Sequence, residues 1–478
     1  MLLRLSVLLS VLLTVLSGCG ATDPARSEDD RLPNIVYILA DDLGYADLGC
    51  YGQRQFATPN IDRLAARGLR FLSHYSGSTV CAPSRSALMT GLHTGHTFIR
   101  GNKEVRPEGQ WPLPDSIYTL PEMLQQRGYR TGAFGKWGLG FPGSEGDPLR
   151  QGFDRFYGYN CQRLAHHYYP YYLWDDDRRD SLPANAGQQE GTYAPELIQE
   201  EVLSFLDDQG DDPFFLFYPH VVPHAELAAP DSLITPFAEQ FGPETPWQGT
   251  DAGEQFRDGP YGTAERPHAT FAAMVSLLDR HVGEILDRLD SLGLTENTLV
   301  IFTSDNGPHV EGGADPDFFD SNGPYRGYKR DLYEGGIRVP MIASWPATVP
   351  VGTTDHVSAF WDVLPTLAEI TGADPVGGLD GISFWPTLRG AANEQQRHDY
   401  LYWEFHERGG RQAIRSGNWK GVRYGVFAKP NSPLELYDLE QDPGETTNLA
   451  ARHPAIVARL DSLLRVSRDE SDVFPWAK

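Results

Sequence analysis

Four short runs of almost unbroken apolar residues, each ending in charged or amide residues, constrain the fold of this chain more than anything else in it. Asn34 to Ala40 is rich in β-branched and aromatic side chains and stops at Asp41-Asp42. Leu299 to Thr303 repeats the pattern and stops at Ser304-Asp305-Asn306-Gly307. Phe214 to Tyr218 is followed by Pro219-His220 and Pro223-His224, and Thr131 to Phe134 leads into Gly135-Lys136. Apolar runs of this length without alternation are strands buried on both faces, which requires helices on both sides of a parallel sheet. Ligands bind beyond the carboxyl ends of such strands, so the four polar termini are expected to converge.

Helical segments alternate with these runs. Thr58-Pro59 supplies a cap and a first-turn proline, with Gly68 as the stop. Phe271, Met274, Val275, Leu278, Val282, Ile285, Leu286 and Leu289 recur at spacings of three and four, and Gly293 ends that helix. The alternation predicts one α/β domain over 32–371, a large, mostly parallel, doubly wound sheet. After Gly372 the pattern changes. Residues 401–405, 413–424 and 434–439 read as antiparallel strands with a tight turn at Ser416-Gly417-Asn418, and a helix follows near 455–466. Residues 372–478 are therefore expected to form a smaller C-terminal α+β subdomain with an antiparallel sheet. Gly- and Pro-rich stretches such as 242–262 read as long loops.

Composition narrows the function classes. The chain has 478 residues with 40% apolar side chains, which excludes a disordered chain, and four cysteines exclude a disulfide scaffold. Acidic residues outnumber Lys and Arg by 65 to 40, a formal charge of −25. Such a surface repels polyanions, so nucleic acid is not an expected partner, and an anionic substrate needs a local cationic pocket. Lysine is scarce: Lys103, Lys136, Lys329, Lys420, Lys429 and Lys478 are all there are. Lys136 and Lys329, flanked by Gly135 and Gly327, stand out among them.

The first 31 residues carry an address. Met1 to Arg4 precede an apolar run, Leu5 to Leu16, too short to span a bilayer comfortably, and Leu16-Ser17-Gly18-Cys19 closes it. This resembles a bacterial lipoprotein signal. The resemblance implies a signal peptide at 1–18, cleavage before Cys19 and a lipid anchor on its thiol. It leaves 19–31 as a flexible tether and, with Gly20 after the cysteine, implies an outer-membrane address in the bacterial cell envelope. An ordinary secretory leader with Cys19 incidental is the alternative.

Cys81-Ala82-Pro83-Ser84-Arg85 places a thiol at a helix start, where the free amide dipoles favour an anion and an unmodified thiol could be an activated nucleophile. These residues resemble the type I sulfatase signature. The resemblance runs along most of the chain: Asp41-Asp42, residues 128–138, Asp305-Asn306-Gly307, Lys329 with Glu334-Gly335-Gly336, and Asp442-Pro443 through Asn448-Leu449-Ala450. It implies an alkaline phosphatase-like fold, sulfate ester hydrolysis and oxidation of Cys81 to formylglycine by a maturation enzyme. One hydroxyl of the hydrated aldehyde is then the nucleophile.

The residue chemistry agrees with these implied roles. Asp41, Asp42, Asp305 and Asn306 offer only oxygen ligands, which suits Ca²⁺ and disfavours zinc. The resemblance adds an oxygen of the modified Cys81 as the last ligand. Arg85, one turn after Cys81, can orient the nucleophile and offset its charge. Lys136 and Lys329 match the family's two sulfate-gripping lysines. His224 matches the histidine that protonates the departing alcohol, with His220 as the competing assignment. One departure stands out. Where the family usually reads Gly-Lys-Trp-His-Leu-Gly, this chain has Gly138 in place of the histidine, whose role would pass to water, His96 or His309.

His96, Arg100, His309 and the segment 160–170, with His166, lie beside these elements in sequence and offer donors and aromatic faces to a sugar. With an envelope address, the expected substrate is a sulfated glycan fragment, derived from an algal polysaccharide or a glycosaminoglycan. Two alternatives stand beside it: a phosphodiester or phosphonate ester hydrolase of the same superfamily, and an inactive glycan-binding lipoprotein. Cys50 and Cys161 are left as a candidate disulfide for an oxidising compartment.

Overall fold

The computed structural model describes residues 31–210, 212–250, 261–374 and 377–476. The apolar leader, Cys19 and nearly all of the tether lie outside the described residues. No helix among the described residues is long and apolar enough to cross a membrane. Residues 33–478 form one compact unit.

A large sheet contains β1 (Asn34–Ala40), β2 (Leu69–Tyr75), β3 (Arg130–Lys136), β4 (Arg155–Tyr159), β5 (Tyr172–Asp175), β6 (Arg178–Ser181), β7 (Phe214–Pro219), β8 (Thr298–Ser304), β9 (Arg338–Ser344), β10 (Gly352–Thr354) and β11 (Ser358–Ala359). The order is β10-β2-β9-β8-β1-β7-β3-β4-β5-β6, with β11 also on β2. Its centre, β8-β1-β7-β3-β4, is parallel throughout. Every residue of β1, β7 and β8 is buried, which is why those runs lack alternation. The four runs picked out in the sequence are the adjacent strands β8, β1, β7 and β3. β9 departs from the parallel expectation: it runs antiparallel between β8 and β2.

Two groups of helices cover the sheet. α1 (Pro59–Ala66), α4 (Ala194–Asp207), α5 (Asp231–Phe241) and α6 (Pro267–Ser291) pack on one another. α2 (Cys81–Thr90), α3 (Leu120–Gln126) and the helix Val363–Thr371 form the other group. α6 carries the eight apolar residues singled out by their spacing, and all eight are buried.

The C-terminal strands β12 (Leu401–Phe405), β13 (Arg411–Ser416), β14 (Trp419–Tyr424) and β15 (Glu435–Asp438) form an antiparallel sheet in that order. The helix Pro454–Val466 packs against β13. This sheet shares a core with the large one: Tyr75, Val80 and Ala87 pack with Trp361, Trp403, Phe405, Ala413 and Val422. A buried ionic knot adds to the join, in which Lys420 Nζ lies 2.9 Å from Glu334 Oε1 and 3.0 Å from Glu445 Oε1. Burial and the neighbouring Glu334 push the Glu445 carboxyl up to about 7, against the pull of Lys420.

Cys50 and Cys161 are both free, so the disulfide considered for them is not made. Cys50 lies after β1, its amide bonded to Asp62, while Cys161 lies after β4 and accepts from the Leu164 amide. Two strands, β7 and β3, lie between β1 and β4 in the sheet order, too far apart for bridging.

Candidate active site

The order β8-β1-β7-β3 lines up Asp305-Asn306, Asp41-Asp42, His220 to His224 and Lys136 along one sheet edge. α2 aims its amino end at the same edge. Val80 is extended and Cys81 is the first helical residue, wholly buried. Cys81 Sγ lies 3.4 Å from Asp41 Oδ1 and 3.4 Å from Lys136 Nζ. Burial, with Asp41 adding to it, pushes the thiol well above its ordinary range. An unmodified Cys81 is thus a buried thiol and not the thiolate that nucleophilic attack needs.

Three cations hold three carboxylates. Lys136 Nζ donates to Asp41 Oδ2 at 2.6 Å, and Lys329 Nζ donates to Asp42 Oδ2 at 2.7 Å. Arg85 donates twice to Asp305 Oδ2, at 3.1 and 2.9 Å, stands 3.4 Å from Asp41, and also donates to the Lys136 carbonyl. All six side chains are buried. Charges this deep persist only when paired, and here each carboxylate has its own cation.

The donor set fits a hard cation. Asp41, Asp42 and Asp305 supply buried carboxylate oxygens, and Asn306 Oδ1 is buried with no hydrogen-bond partner among the described residues. Asn306 Nδ2 bonds Asp42 Oδ1 at 2.7 Å and the Gly307 carbonyl at 2.8 Å, which fixes the amide with its oxygen facing free. An unpaired buried acceptor beside three carboxylates is what an oxygen-coordinated divalent ion would satisfy.

His224 and not His220 reaches this cluster. Its Nε2 lies 2.9 Å from Lys329 Nζ and 3.4 Å from Asp42 Oδ2, while its Nδ1 is bonded to the Ala225 carbonyl. Burial, with Lys329 and Lys136 adding to it, holds the imidazole well below its ordinary pKa. His220 is spent on structure: its Nε2 meets His281 Nδ1 at 3.0 Å and its Nδ1 accepts from the Val222 amide.

The four residues expected to touch substrate separate. His166 and His309 flank His224, with ring centroids at 5.0 and 5.8 Å and interplanar angles of 15° and 26°. Both ring nitrogens of His309 are used by backbone, Nε2 on the Pro223 carbonyl and Nδ1 on the Glu311 amide. That leaves no proton site to take over the missing histidine's role. His96 turns away to pair with Asp380 at 2.9 Å and stack on His93. Arg100 is buried against Glu404, with further bonds to the Thr97 and Asp469 carbonyls. Arg100 thereby joins this segment to β12 of the C-terminal sheet. Adjacency in sequence to the Cys81 helix suggested otherwise, but the chain leaves the site at Gly91, where a left-handed residue closes α2.

Two residues that support Lys329, Glu311 and Tyr261, carried no sequence signal. Glu311 Oε2 lies 3.8 Å from Lys329 Nζ and accepts from Tyr261 Oη at 2.8 Å. Gly335 donates to the Arg326 carbonyl at 2.7 Å, Gly336 accepts from the Gly307 amide at 3.1 Å, and Lys329 N donates to the Pro308 carbonyl at 2.8 Å. The Lys420, Glu334 and Glu445 knot therefore anchors the turn on which the Lys329 loop rests. A Cβ on Gly307 would stand 1.9 Å from the Gly335 carbonyl, so glycine is required there.

Gly138 has a backbone conformation that disfavours any side chain. Its φ is +83°, and a Cβ there would stand 2.3 Å from Gln162 Nε2. Gly138→Ala is expected to cost about 1–2 kcal/mol in urea unfolding from the left-handed backbone alone. Unchanged stability would show that the loop yields freely.

Three comparisons bear on this arrangement. The profile described as Sulfatase matches residues 33–373, and that described as N-sulphoglucosamine sulphohydrolase, C-terminal, matches residues 323–469. Arylsulfatase A of Homo sapiens is 34% identical over 97% of this chain and 92% of its own length. N-acetylgalactosamine-6-sulfatase of Canis lupus familiaris is 33% identical over 97% of this chain and 85% of its own. Among solved structures, Ps i-CgsB in complex with k-i-k-neocarrahexaose superimposes with a TM-score of 0.75 at 28% identity, covering 92% of this chain and 94% of that one.

Proposed function

The chain belongs to the sulfatase family and is a sulfuric ester hydrolase on an alkaline phosphatase-like scaffold; on that premise we propose that it removes sulfate from a sulfated glycan fragment, using a formylglycine made from Cys81 beside a Ca²⁺ site. The observation that carries this is Cys81 itself. It stands 3.4 Å from both Asp41 and Lys136, at a helix start, beside the buried cations Arg85, Lys136 and Lys329.

Asp41, Asp42, Asp305 and Asn306 would hold Ca²⁺, with an oxygen of the modified Cys81. The ion supplies a fixed positive charge that lowers the cost of an oxyanion beside it, and the modified residue supplies the nucleophilic hydroxyl. The chain's own residues do the rest. Arg85 holds Asp305 in place through two bonds on one oxygen. Lys136 and Lys329 grip the sulfuryl oxygens, exchanging part of their hold on Asp41 and Asp42 for the substrate's charge. His224 Nε2 lies 2.9 Å from the Lys329 ammonium and passes a proton from it to the departing alcohol oxygen, while the Nδ1–H bond to the Ala225 carbonyl fixes the ring.

The glycan assignment rests on relatives. One structural relative holds k-i-k-neocarrahexaose, and a curated one is named N-acetylgalactosamine-6-sulfatase. The site sits in the envelope of a bacterial cell in this reading, anchored to the outer membrane through Cys19. Metabolic labelling with a radioactive fatty acid should mark the wild-type chain and not Cys19→Ser. Equal labelling would remove the anchor from the proposal.

The deciding experiment is co-expression with a formylglycine-generating enzyme, followed by assay of free sulfate and free phosphate from sulfated sugars, phosphodiesters and phosphonate esters in the presence of Ca²⁺. Sulfate release from sugars, abolished in Cys81→Ala, is the expected result. Phosphate or phosphonate release with no sulfate release, at verified conversion of Cys81, would replace this reading with the phosphoester one.

A further inference from the structure

The loop after β4 brings unspent polar groups to the alcohol side of the site. β3 and β4 pair from Gly132 with Arg155 to Lys136 with Tyr159, and the Gly138 amide then donates to the Asn160 carbonyl at 3.1 Å. Residues 160–166 therefore run on beside the strand end that carries Lys136. Tyr168 Oη bonds both the Val221 and His224 carbonyls, at 2.8 and 2.6 Å, and the His166 carbonyl accepts from the Glu226 amide. The loop is thus held against the His224 turn without using the side chains of Gln162 or His166.

Those side chains leave hydrogen-bonding atoms unused among the described residues. Gln162 is more than nine-tenths buried, and its Nε2 has no hydrogen-bond partner among the described residues. It lies at the point where a Cβ on Gly138 would fall. The His166 ring is part-exposed, stacks flat on His224 with centroids 5.0 Å apart, and makes no ring-nitrogen hydrogen bond among the described residues. His309, on the other flank of His224, has both nitrogens engaged.

We propose that His166 and Gln162 form the subsite for the alcohol half of the ester and select an alcohol that bears a ring hydroxyl next to the sulfate. This rests on the sulfatase reading of the site. The ester oxygen must approach His224 to take its proton, so the alcohol carbon lies on that side and its neighbouring substituent meets the ring stacked on His224. Burial, followed by Lys136 and Lys329, holds the His166 imidazole neutral. A neutral imidazole donates at one nitrogen and accepts at the other, which matches a sugar hydroxyl, whereas Gln162 Nε2 can only donate. The lysines are left to the sulfate, and an uncharged subsite adds no cost for a neutral sugar. A buried donor with no acceptor penalises any substrate that cannot supply one.

The test compares methyl galactoside 4-sulfate, its 3-deoxy analogue and 4-nitrophenyl sulfate on the converted, Ca²⁺-loaded enzyme. His166→Phe keeps the ring stack on His224 and removes both nitrogens; Gln162→Glu keeps the shape and removes the donor. Each variant is expected to lose about tenfold in kcat/KM on the sulfated sugar, the size of one neutral hydrogen bond. Each loss is expected to be at least about fivefold larger on the sulfated sugar than on 4-nitrophenyl sulfate, and the deoxy sugar should react alike with wild type and variants. Equal losses on sugar and aryl ester, or no change on the sugar, would overturn the subsite. Calorimetric binding of the two sugars to Cys81→Ala, with and without His166→Phe, reads the same contrast without turnover. If the wild-type chain releases no sulfate, the sulfatase reading fails, and the binding contrast alone upholds or overturns the subsite.

Discussion

Asp305→Ala is expected to reduce sulfate release to background and to lower the melting temperature as well. Asp305 Oδ2 accepts two bonds from Arg85, at 3.1 and 2.9 Å, and its Oδ1 accepts from the Asp42 amide at 3.1 Å. Removing it strands a guanidinium that is wholly buried. Breaking one partner out of a buried pair costs about 3–5 kcal/mol, because the remaining charge cannot reach water. The same change takes one oxygen from the candidate ion site and lets Arg85 swing toward Asp41. Asp305→Asn separates the two effects. It keeps the acceptor shape and loses the charge, so activity should still vanish while less stability is lost. Calcium binding measured on both variants checks the assignment, and full activity of either would refute it.

Lys136→Met should lower kcat by about 10²- to 10³-fold, the loss seen when one preorganised donor to a developing charge is removed. The physical reason lies in where the ammonium stands. Lys136 Nζ is 2.6 Å from Asp41 Oδ2 and 3.4 Å from Cys81 Sγ, fully buried, so water cannot replace it. Methionine keeps the packing of the stem, which confines the change to the charge. Asp41 also loses a neutralising partner, although Arg85 remains 3.4 Å away. KM should rise as well, because the same cation grips the sulfate in the bound substrate. A variant with wild-type kcat would show that Lys136 serves only to hold Asp41.

Much of the site was legible because its chemistry sits at the ends of unmistakable strands. Asp41-Asp42 and Asp305-Asn306 follow runs that are buried from end to end, and such runs must end at a ligand-binding edge. Cys81 and Arg85 come from one helical turn, and the scarcity of lysine drew attention to Lys136 and Lys329. A third buried lysine, Lys420, has no such local signal. Its burial with Glu334 and Glu445 depends on residues 86 and 25 positions away, which no local pattern encodes. His96 and Arg100 were misplaced for the opposite reason. They are near Cys81 in the chain, but the left-handed turn at Gly91 carries them to Asp380 and Glu404.

By itself the sequence determined the residue types and the strands that present them: oxygen ligands at two strand ends, a thiol and an arginine one helical turn apart, two lysines and a pair of histidines. Period, capping and apolar run length are local properties, and they survive without knowledge of neighbours. Only the tertiary structure decided which histidine of the pair faces Lys329, which of the outlying donors reach the site, and that Gln162 closes the space beside Gly138. Those outcomes turn on strand order and on loops that meet across the sheet. Packing distances of a few ångströms between residues far apart in the chain decide whether a polar atom is spent on backbone or left for a ligand.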